Sequence, residues 1–523
     1  MSTRSKALGT ALVLSAFALG SNASATTRRA TATVPVPVAV APPQAVVTVR
    51  PTTRGRPVPP GFVGLSLEYR ALLAYLGTNP GAINPVFVHL LRNLAPGQSP
   101  VLRIGGDSTD WTWWPVRNMR RPPGVTYSVT PAWLQVAHAL ARATDTHYIL
   151  GINLEAGSRK IETAESGALV AGIGRHYVSA LELGNEPELY SKLGWYRLGA
   201  SYIPGRPPNY DFDGFTREFT GFSRAVSTVP VAGPSTGSFW WLTHLSKFLT
   251  AEPSLGMVTI HSYWLNRCLS STVLPGYPTV PNLLNPHPPS RLAGKLGRFA
   301  SLAHARGVPI RIDEMNSVTC GGEPGVSDVF ASSLWALNAL FEAMSDGVDG
   351  VNIHTFPGTA NQLFGFTRVG GRWTATVRPE YYGLLMFARA APRGSKELTV
   401  IQQHTGQTRA WATMGRDRDT RVVLINDSLT QTTSVLVRAF TPGAPAQLER
   451  LLAPSPYATS AITLDGQSFG AQTQTGTLSG PSSTVTMPAP TGPGPVVSYV
   501  VSVPPASAAL LTIPPRPRTP APR

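Results

Sequence analysis

Eight short apolar runs, separated by stretches of helical periodicity, constrain this chain more than any other feature. They are "FVGLSLE" (Phe62 to Glu68), "VLRIGG" (Val101 to Gly106), "YILGINL" (Tyr148 to Leu154) and "VSALELG" (Val178 to Gly184), followed by "VPVAGPS" (Val229 to Ser235), "MVTIHSY" (Met257 to Tyr263), "PIRIDE" (Pro309 to Glu314) and "GVNIHTF" (Gly350 to Phe356). Between them lie amphipathic segments such as "PVFVHLLRNL", "AWLQVAHALARA", "FTREFTGFSRAV" and "DVFASSLWALNALFEAMSDG". Short continuous apolar strands alternating with helices are the pattern of a parallel sheet buried on both faces. Eight such units over roughly 300 residues predict an α/β chain with a (β/α)8 TIM barrel across residues 61–391. The rival, an open doubly wound sheet, lacks support because no G-x-G-x-x-G loop follows the first strand.

Beyond about Pro392 the helical periodicity stops. Runs such as "RVVLINDS", "TTSVLVRAF", "VVSYVVSVP" and "SAALLTIP" alternate with Gly, Pro, Asp and Ser turns, which predicts an all-β sandwich over 392–514 and a disordered tail over 515–523. Upstream, 26–44 reads as a Pro/Val/Ala-rich linker, and an isolated strand within 45–60 is expected to join the sandwich. The 49 glycines and 50 prolines among 523 residues fit loops, linkers and ends, because 42% hydrophobic residues still supply a large core.

The first 25 residues carry Arg4 and Lys6, an apolar run from Ala7 to Gly20, and Ala23-Ser24-Ala25. This is the arrangement of a secretory signal cut after Ala25, and the run is shorter than the ~20 apolar residues of a membrane span. An exported protein without a stable membrane span is expected. Its net charge of +16 comes mostly from dispersed arginine rather than basic clusters with interleaved aromatics, which argues against nucleic acid. Surface solvation and attraction to an acidic polysaccharide both remain open.

In such a barrel the reactive side chains sit at the C-terminal ends of the strands. Here those ends carry Glu68, Asp107, Asn185 with Glu186, His261 with Tyr263, and Glu314. Converging carboxylates suit glycosidic bond cleavage, with one acid to protonate the leaving oxygen and one carboxylate to face C1. No metal and no cofactor are required, and His261 and His354 have no His or Cys partner at ligand spacing. In "LELGNEPELY" Glu186 falls just past a strand, Glu182 points into the barrel where an arginine such as Arg103 must neutralise it, and Glu188 is expected in a solvated loop. Cys268 and Cys320 follow adjacent strands, so a disulfide between two rim loops is expected. Trp111, Trp113 and Trp114 either line a sugar subsite or pack beneath a loop.

"LELGNEPE" and "PIRIDEMN" resemble the acid/base and nucleophile strands of retaining (β/α)8 glycosidases. "VLRIGGDSTDW", "HSYWLN" and the stretch from Cys320 to Phe356 narrow the resemblance to the heparanase-like family, glycoside hydrolase family 79, which includes bacterial β-glucuronidases. It implies Glu186 as general acid/base, Glu314 as nucleophile and Asn185 as partner of the sugar 2-hydroxyl. It also implies that Glu68 and Asp107 bind hydroxyls, that Tyr263 holds the nucleophile, and that Gly321 and Gly322 offer N–H groups to a uronate carboxylate. Two departures stand out: Cys320 replaces a tyrosine, and "TFPGTANQLFGF" lacks one. The expected function is an exported retaining β-glycosidase acting on a glycan such as a glucuronide or acidic polysaccharide. A neutral-sugar β-glycosidase and a non-catalytic cell-surface glycan-binding protein are the alternatives.

Overall fold

Why the eight apolar runs close on themselves is evident in a computed structural model of the protein, which describes residues 45–226, 229–269, 271–285, 296–440, 445–488 and 496–515. The expected signal, the linker and nearly all of the tail lie outside the described residues. Strands β1 (Val63–Glu68), β2 (Val101–Gly105), β3 (His147–Ile152), β4 (Val178–Leu183), β5 (Val231–Thr236), β6 (Met257–Leu265), β7 (Ile310–Val318) and β8 (Val351–His354) pair in parallel, in order, into a closed barrel. Nearly every residue in these strands is buried, since the barrel interior takes one face and the surrounding helices the other.

Helix boundaries follow local chemistry. Asn84 caps Pro85–Leu94 by accepting the N–H groups of Val86 and Phe87, and Thr130 caps Pro131–Thr144 by accepting that of Trp133. Ala331–Ser345 is buried along almost its entire length, because Glu380–Ala390 and the second sheet cover the side turned away from the barrel.

The expected all-β accessory domain is a second, ten-stranded, mostly antiparallel sheet in one hydrogen-bonded system that curls around its own apolar core of residues such as Val47, Leu424, Val437, Val501 and Leu511. Ala45–Arg54 sits well inside it, antiparallel to Lys396–Gln403 and parallel to Thr433–Ala439. Two hairpins were not anticipated from sequence: Gly194–Leu198 with Ser201–Pro204 after β4, and Phe364–Val369 with Arg372–Val377 after β8. Among the described residues no helix is long and apolar enough to cross a membrane.

Candidate active site

Arg103, in the middle of β2, is fully buried and forms the hub of the barrel interior. Its guanidinium donates to Glu182 Oε2 (2.8 Å from Nε), to Glu314 Oε2 (2.5 Å from Nη1) and to Asn185 Oδ1 (2.9 Å from Nη2). A third acid, Asp313, lies 3.3 Å from Nε. Burial and the neighbouring Glu182 push the Asp313 pKa well above the usual carboxylate range. Burial works against ionisation of Glu182 too, but Arg103 prevails and holds its pKa down. The expected Glu182 to Arg103 pair is therefore present, with a larger network around it.

Glu314 stands at the same centre. Burial opposes its charge, yet His354, His261 and Arg103, with the Tyr263 hydroxyl donating to Oε1 at 2.7 Å, hold its pKa far below the carboxylate range. It is an ionised carboxylate with both oxygens oriented. Tyr263, in turn, is pushed well above its ordinary pKa by burial and by Glu314, so it remains a donor.

Glu186 reaches the site from the end of β4 through an unusual backbone. It has φ 46° and ψ 55°, the left-handed region, directly before Pro187, while its N–H donates to the Ser235 carbonyl at 2.9 Å. Such a conformation in a non-glycine residue is costly and is held here by the surrounding strands. His261 Nδ1 lies 3.0 Å from Glu186 Oε1, and its Nε2 lies 3.1 Å from Ser235 Oγ. Burial lowers the His261 pKa, but Glu314, Glu186 and Asp313 outweigh it and raise it to about 10, so the ring is an imidazolium at neutral pH. One atom each of Glu186, His261 and Glu314 lie within 4.8 Å of one another. The trio has the dimensions of a metal site, but Glu314 spends both oxygens on Arg103 and Tyr263, and a cation would face the buried guanidinium and imidazolium.

Glu68 and Asp107 form the opposite wall. Gly106, at φ 69°, turns the chain so that the Ser108 N–H donates to Glu68 Oε2 at 2.8 Å; a Cβ there would approach Glu68 Oε1 within 2.3 Å. Asp107 opens to the mouth, yet loss of bulk water and then the charges of Glu68, Glu186 and Glu314 push its pKa well above the usual value. His354, not anticipated as a site residue, bridges the two walls: Nε2 is 3.7 Å from Glu68 Oε1 and Nδ1 is 3.8 Å from Glu314 Oε2. Asp110 was also missed. It accepts from the N–H groups of Leu154, Glu155 and Asn185 and from the Tyr190 hydroxyl, tying the ends of β3 and β4 together and fixing Asn185.

One expectation needs correction. Glu188 is not solvated: it is 6% exposed, accepts the Gly237 N–H at 2.8 Å, and is pushed by burial and by Glu186 to a pKa of about 7. The loop after β5 folds over it. Trp113 is buried and donates to Ser128 Oγ, a packing role, whereas Trp111 stands half-buried at the mouth.

Cys268 and Cys320 meet across the loops after β6 and β7 as free thiols with their Sγ atoms 2.9 Å apart. Arg267 joins the same loops by donating to the Gly322 carbonyl and pairing with Glu323. The Gly322 N–H donates to the Thr319 carbonyl at 3.2 Å, and the Gly321 carbonyl accepts from Asn361. The glycine pair thus forms a tight turn on the rim, close enough to Asp107 for that carboxylate to help raise the Cys320 pKa, after burial and Cys268.

No protein-family model matches the chain. In sequence it is 22% identical over 387 residues to a β-glucuronidase of Neurospora crassa, covering 65% of each protein. It is 24% identical over 388 residues to a β-glucuronidase of Aspergillus niger, covering 67% of this chain and 68% of that one. The aligned stretch spans about two thirds of these relatives. In structure it superposes on a 4-O-α-L-rhamnosyl-β-D-glucuronidase from Fusarium oxysporum with a TM-score of 0.70 at 18% identity, covering 89% of this chain and all of that one. A GH51 arabinofuranosidase from Xanthomonas axonopodis pv. citri gives a TM-score of 0.60 at 13% identity over 90% of this chain. These structural likenesses establish the barrel with its accessory sheet.

Proposed function

We propose that this chain, a glycoside hydrolase family 79-like homologue of the fungal β-glucuronidases, hydrolyses β-glucuronides with retention of configuration. The observation that carries the mechanism is the proximity of Glu186 and Glu314, with one oxygen of each within 4.8 Å of the other and of His261. Retaining enzymes hold their two carboxyls at ~5–5.5 Å, inverting ones at ~6.5–9.5 Å to admit a water.

Glu314, ionised and aimed by Arg103 and Tyr263, attacks C1 while Glu186 gives a proton to the glycosidic oxygen. The C1–O bond to the leaving group breaks as a glycosyl ester to Glu314 forms. A water then enters on the side of Glu186, which takes its proton, and the ester opens to release the sugar. His261 and Glu186 share a hydrogen bond throughout, so the imidazolium steadies the carboxylate left after the first proton transfer. Asn185, with its oxygen turned to Arg103, keeps its amide N–H groups for the 2-hydroxyl, and Glu68 and Asp107 accept from the remaining hydroxyls.

A second reading has its own support. The mouth is lined with Glu68, Asp107, Glu186 and Glu314, and Cys320 replaces a tyrosine, so a neutral β-glycoside fits the same chemistry without an anionic group to accommodate. We infer further that the protein is exported and that Cys268 and Cys320 form a disulfide in oxidising surroundings. Hydrolysis of 4-nitrophenyl β-D-glucuronide beside the glucoside, galactoside and xyloside decides between the sugars. Wild-type turnover of none of the four overturns the enzymatic reading, and undiminished activity in Glu314→Gln overturns the mechanism. Thiol titration of the unfolded, unreduced protein tests the disulfide.

A further inference from the structure

We infer that the leaving-group side of the site accepts an uncharged, flat aglycone, an aryl or similarly planar ring, rather than a further acidic sugar. This rests on the glycosidase reading and adds to it what stands across the scissile bond. A cavity of about 120 Å³ opens beside Asn185 and Glu186, walled by Trp111, Trp195, Leu189, Leu193, Tyr190 and Glu155. The general acid must touch the leaving oxygen, and this space takes in Glu186, with Asn185 and Asp107 at its border with the sugar, but not Glu314, Tyr263 or His261, so it lies on the acid's outer side, where the leaving group departs. Its size is comparable to the ~150 Å³ apolar cavity that takes up benzene, enough for one ring.

The wall chemistry suits such a ring. Trp195 donates its indole N–H to the Asp110 carbonyl at 2.9 Å, which fixes the ring plane. It also packs against Gly124, where even a Cβ would come within 2.1 Å of the indole. Leu193 is 59% exposed at the base of the Gly194–Leu198 hairpin, an apolar side chain beside the acid with little covering it. Flat rings gain from indole faces through offset or edge contacts, in addition to the area they bury.

Charge disfavours an acidic occupant. Among the described residues no arginine or lysine lines the cavity. Three guanidiniums border it and each is already engaged: Arg206, over the Tyr190 ring, by Glu218 and the carbonyls of Leu154, Glu155 and Gly205, Arg103, behind Asn185, by Glu182 and Glu314, and Arg70 over the rings of Trp111 and Phe356. Burial and Asp110 push Glu155 to a pKa of about 9, so it lines the wall as a neutral acid able to donate to an aglycone oxygen. A uronate or sulfate placed here would meet the carboxyl groups of Glu186, Asp107 and Asp110, while the bordering cations His261 and Arg103 are already paired with Glu186, Glu182 and Glu314. The chain's net charge of +16 is not expressed at this wall.

The test uses the full-length protein, 2-naphthyl β-D-glucuronide, and a disaccharide in which β-glucuronate is joined to a second uronate. Leu193→Ala is expected to raise KM for the naphthyl glycoside about fivefold, with a smaller effect on kcat and unchanged inhibition by free glucuronate. Leu193→Lys is expected to lower kcat/KM for the naphthyl glycoside and raise it for the acidic disaccharide. Saturable quenching of tryptophan fluorescence by 2-naphthol, weakened in both variants, gives a readout independent of turnover. Unchanged KM in Leu193→Ala with unchanged quenching overturns the inference while leaving hydrolysis intact. Quenching that depends on Leu193 in a protein that hydrolyses no glycoside overturns the catalytic reading and leaves the cavity assignment standing.

Discussion

Arg103 and Glu314, one on β2 and the other on β7, meet at 2.5 Å in the centre of the barrel, and the same guanidinium also binds Glu182 and Asn185. Support of the barrel and orientation of the proposed nucleophile therefore converge on one cation. A buried pair of this kind adds little over apolar packing, but breaking it leaves an uncompensated charge.

Glu182→Gln should accordingly cost about 3 kcal/mol of stability, since Arg103 loses its fully buried counter-charge. Urea denaturation should show a lower midpoint with an unchanged slope. Activity should fall less than in the Glu314 variant; unchanged melting would show that Asp313 replaces Glu182 as the counter-ion.

Glu186→Gln should separate substrates by leaving group. Glycosides that need protonation should lose roughly 10²–10⁴-fold in kcat/KM, while activated aryl glycosides lose much less. Equal losses across a series of substituted phenyl glycosides would argue against Glu186 as the acid.

Tyr263→Phe removes the hydroxyl that donates to Glu314, one of the groups holding the Glu314 pKa down. The nucleophile pKa should rise, and the acidic limb of the pH profile of kcat/KM should move to higher pH. His354→Ala, which removes a neighbouring ring, should shift the limb in the same direction.

His261 links stability to pH. Its pKa is raised in the folded protein, from 6.5 to about 10, so the imidazolium contributes fully below pH 6.5, and its contribution is lost as pH rises towards 10. The melting temperature of the wild type should fall across that window. His261→Asn should start lower and fall less steeply.

The barrel strands were legible in sequence because burial on both faces leaves unbroken apolar runs, and strand-end acids stand out against them. The hairpins after β4 and β8 were not: Gly194–Leu198 and its partner are short and largely exposed, and Phe364–Val369 with Arg372–Val377 is brief and buried only at Phe364, Ala375 and Val377, against a core that local sequence does not reveal. Glu186 and Glu314 were legible as the polar ends of apolar strands. Asp313 was not, because alternation sends consecutive residues to opposite faces, whereas here the pairing of β6 with β7 slips beside His261, and the pairing of β7 with β8 slips between Ile312 and Met315. Both acids thereby reach the same guanidinium. Glu188 was misplaced for a related reason: a carboxylate beyond a proline looks like loop chemistry until a distant segment, the turn at Gly237, closes over it. His354 and Asp110 could have been found from position alone, one at the end of β8 and the other in "GDSTDW", but nothing local told them from ordinary polar residues.

The place of Ala45–Arg54 inside the second sheet sets a timetable for biosynthesis. It emerges early, yet its partner Lys396–Gln403 follows about 340 residues later, a wait of roughly 20–70 s at ordinary translation rates. Throughout that interval a strand rich in valine has no ladder to join, so the nascent chain carries an open template for wrong pairings until the last module arrives.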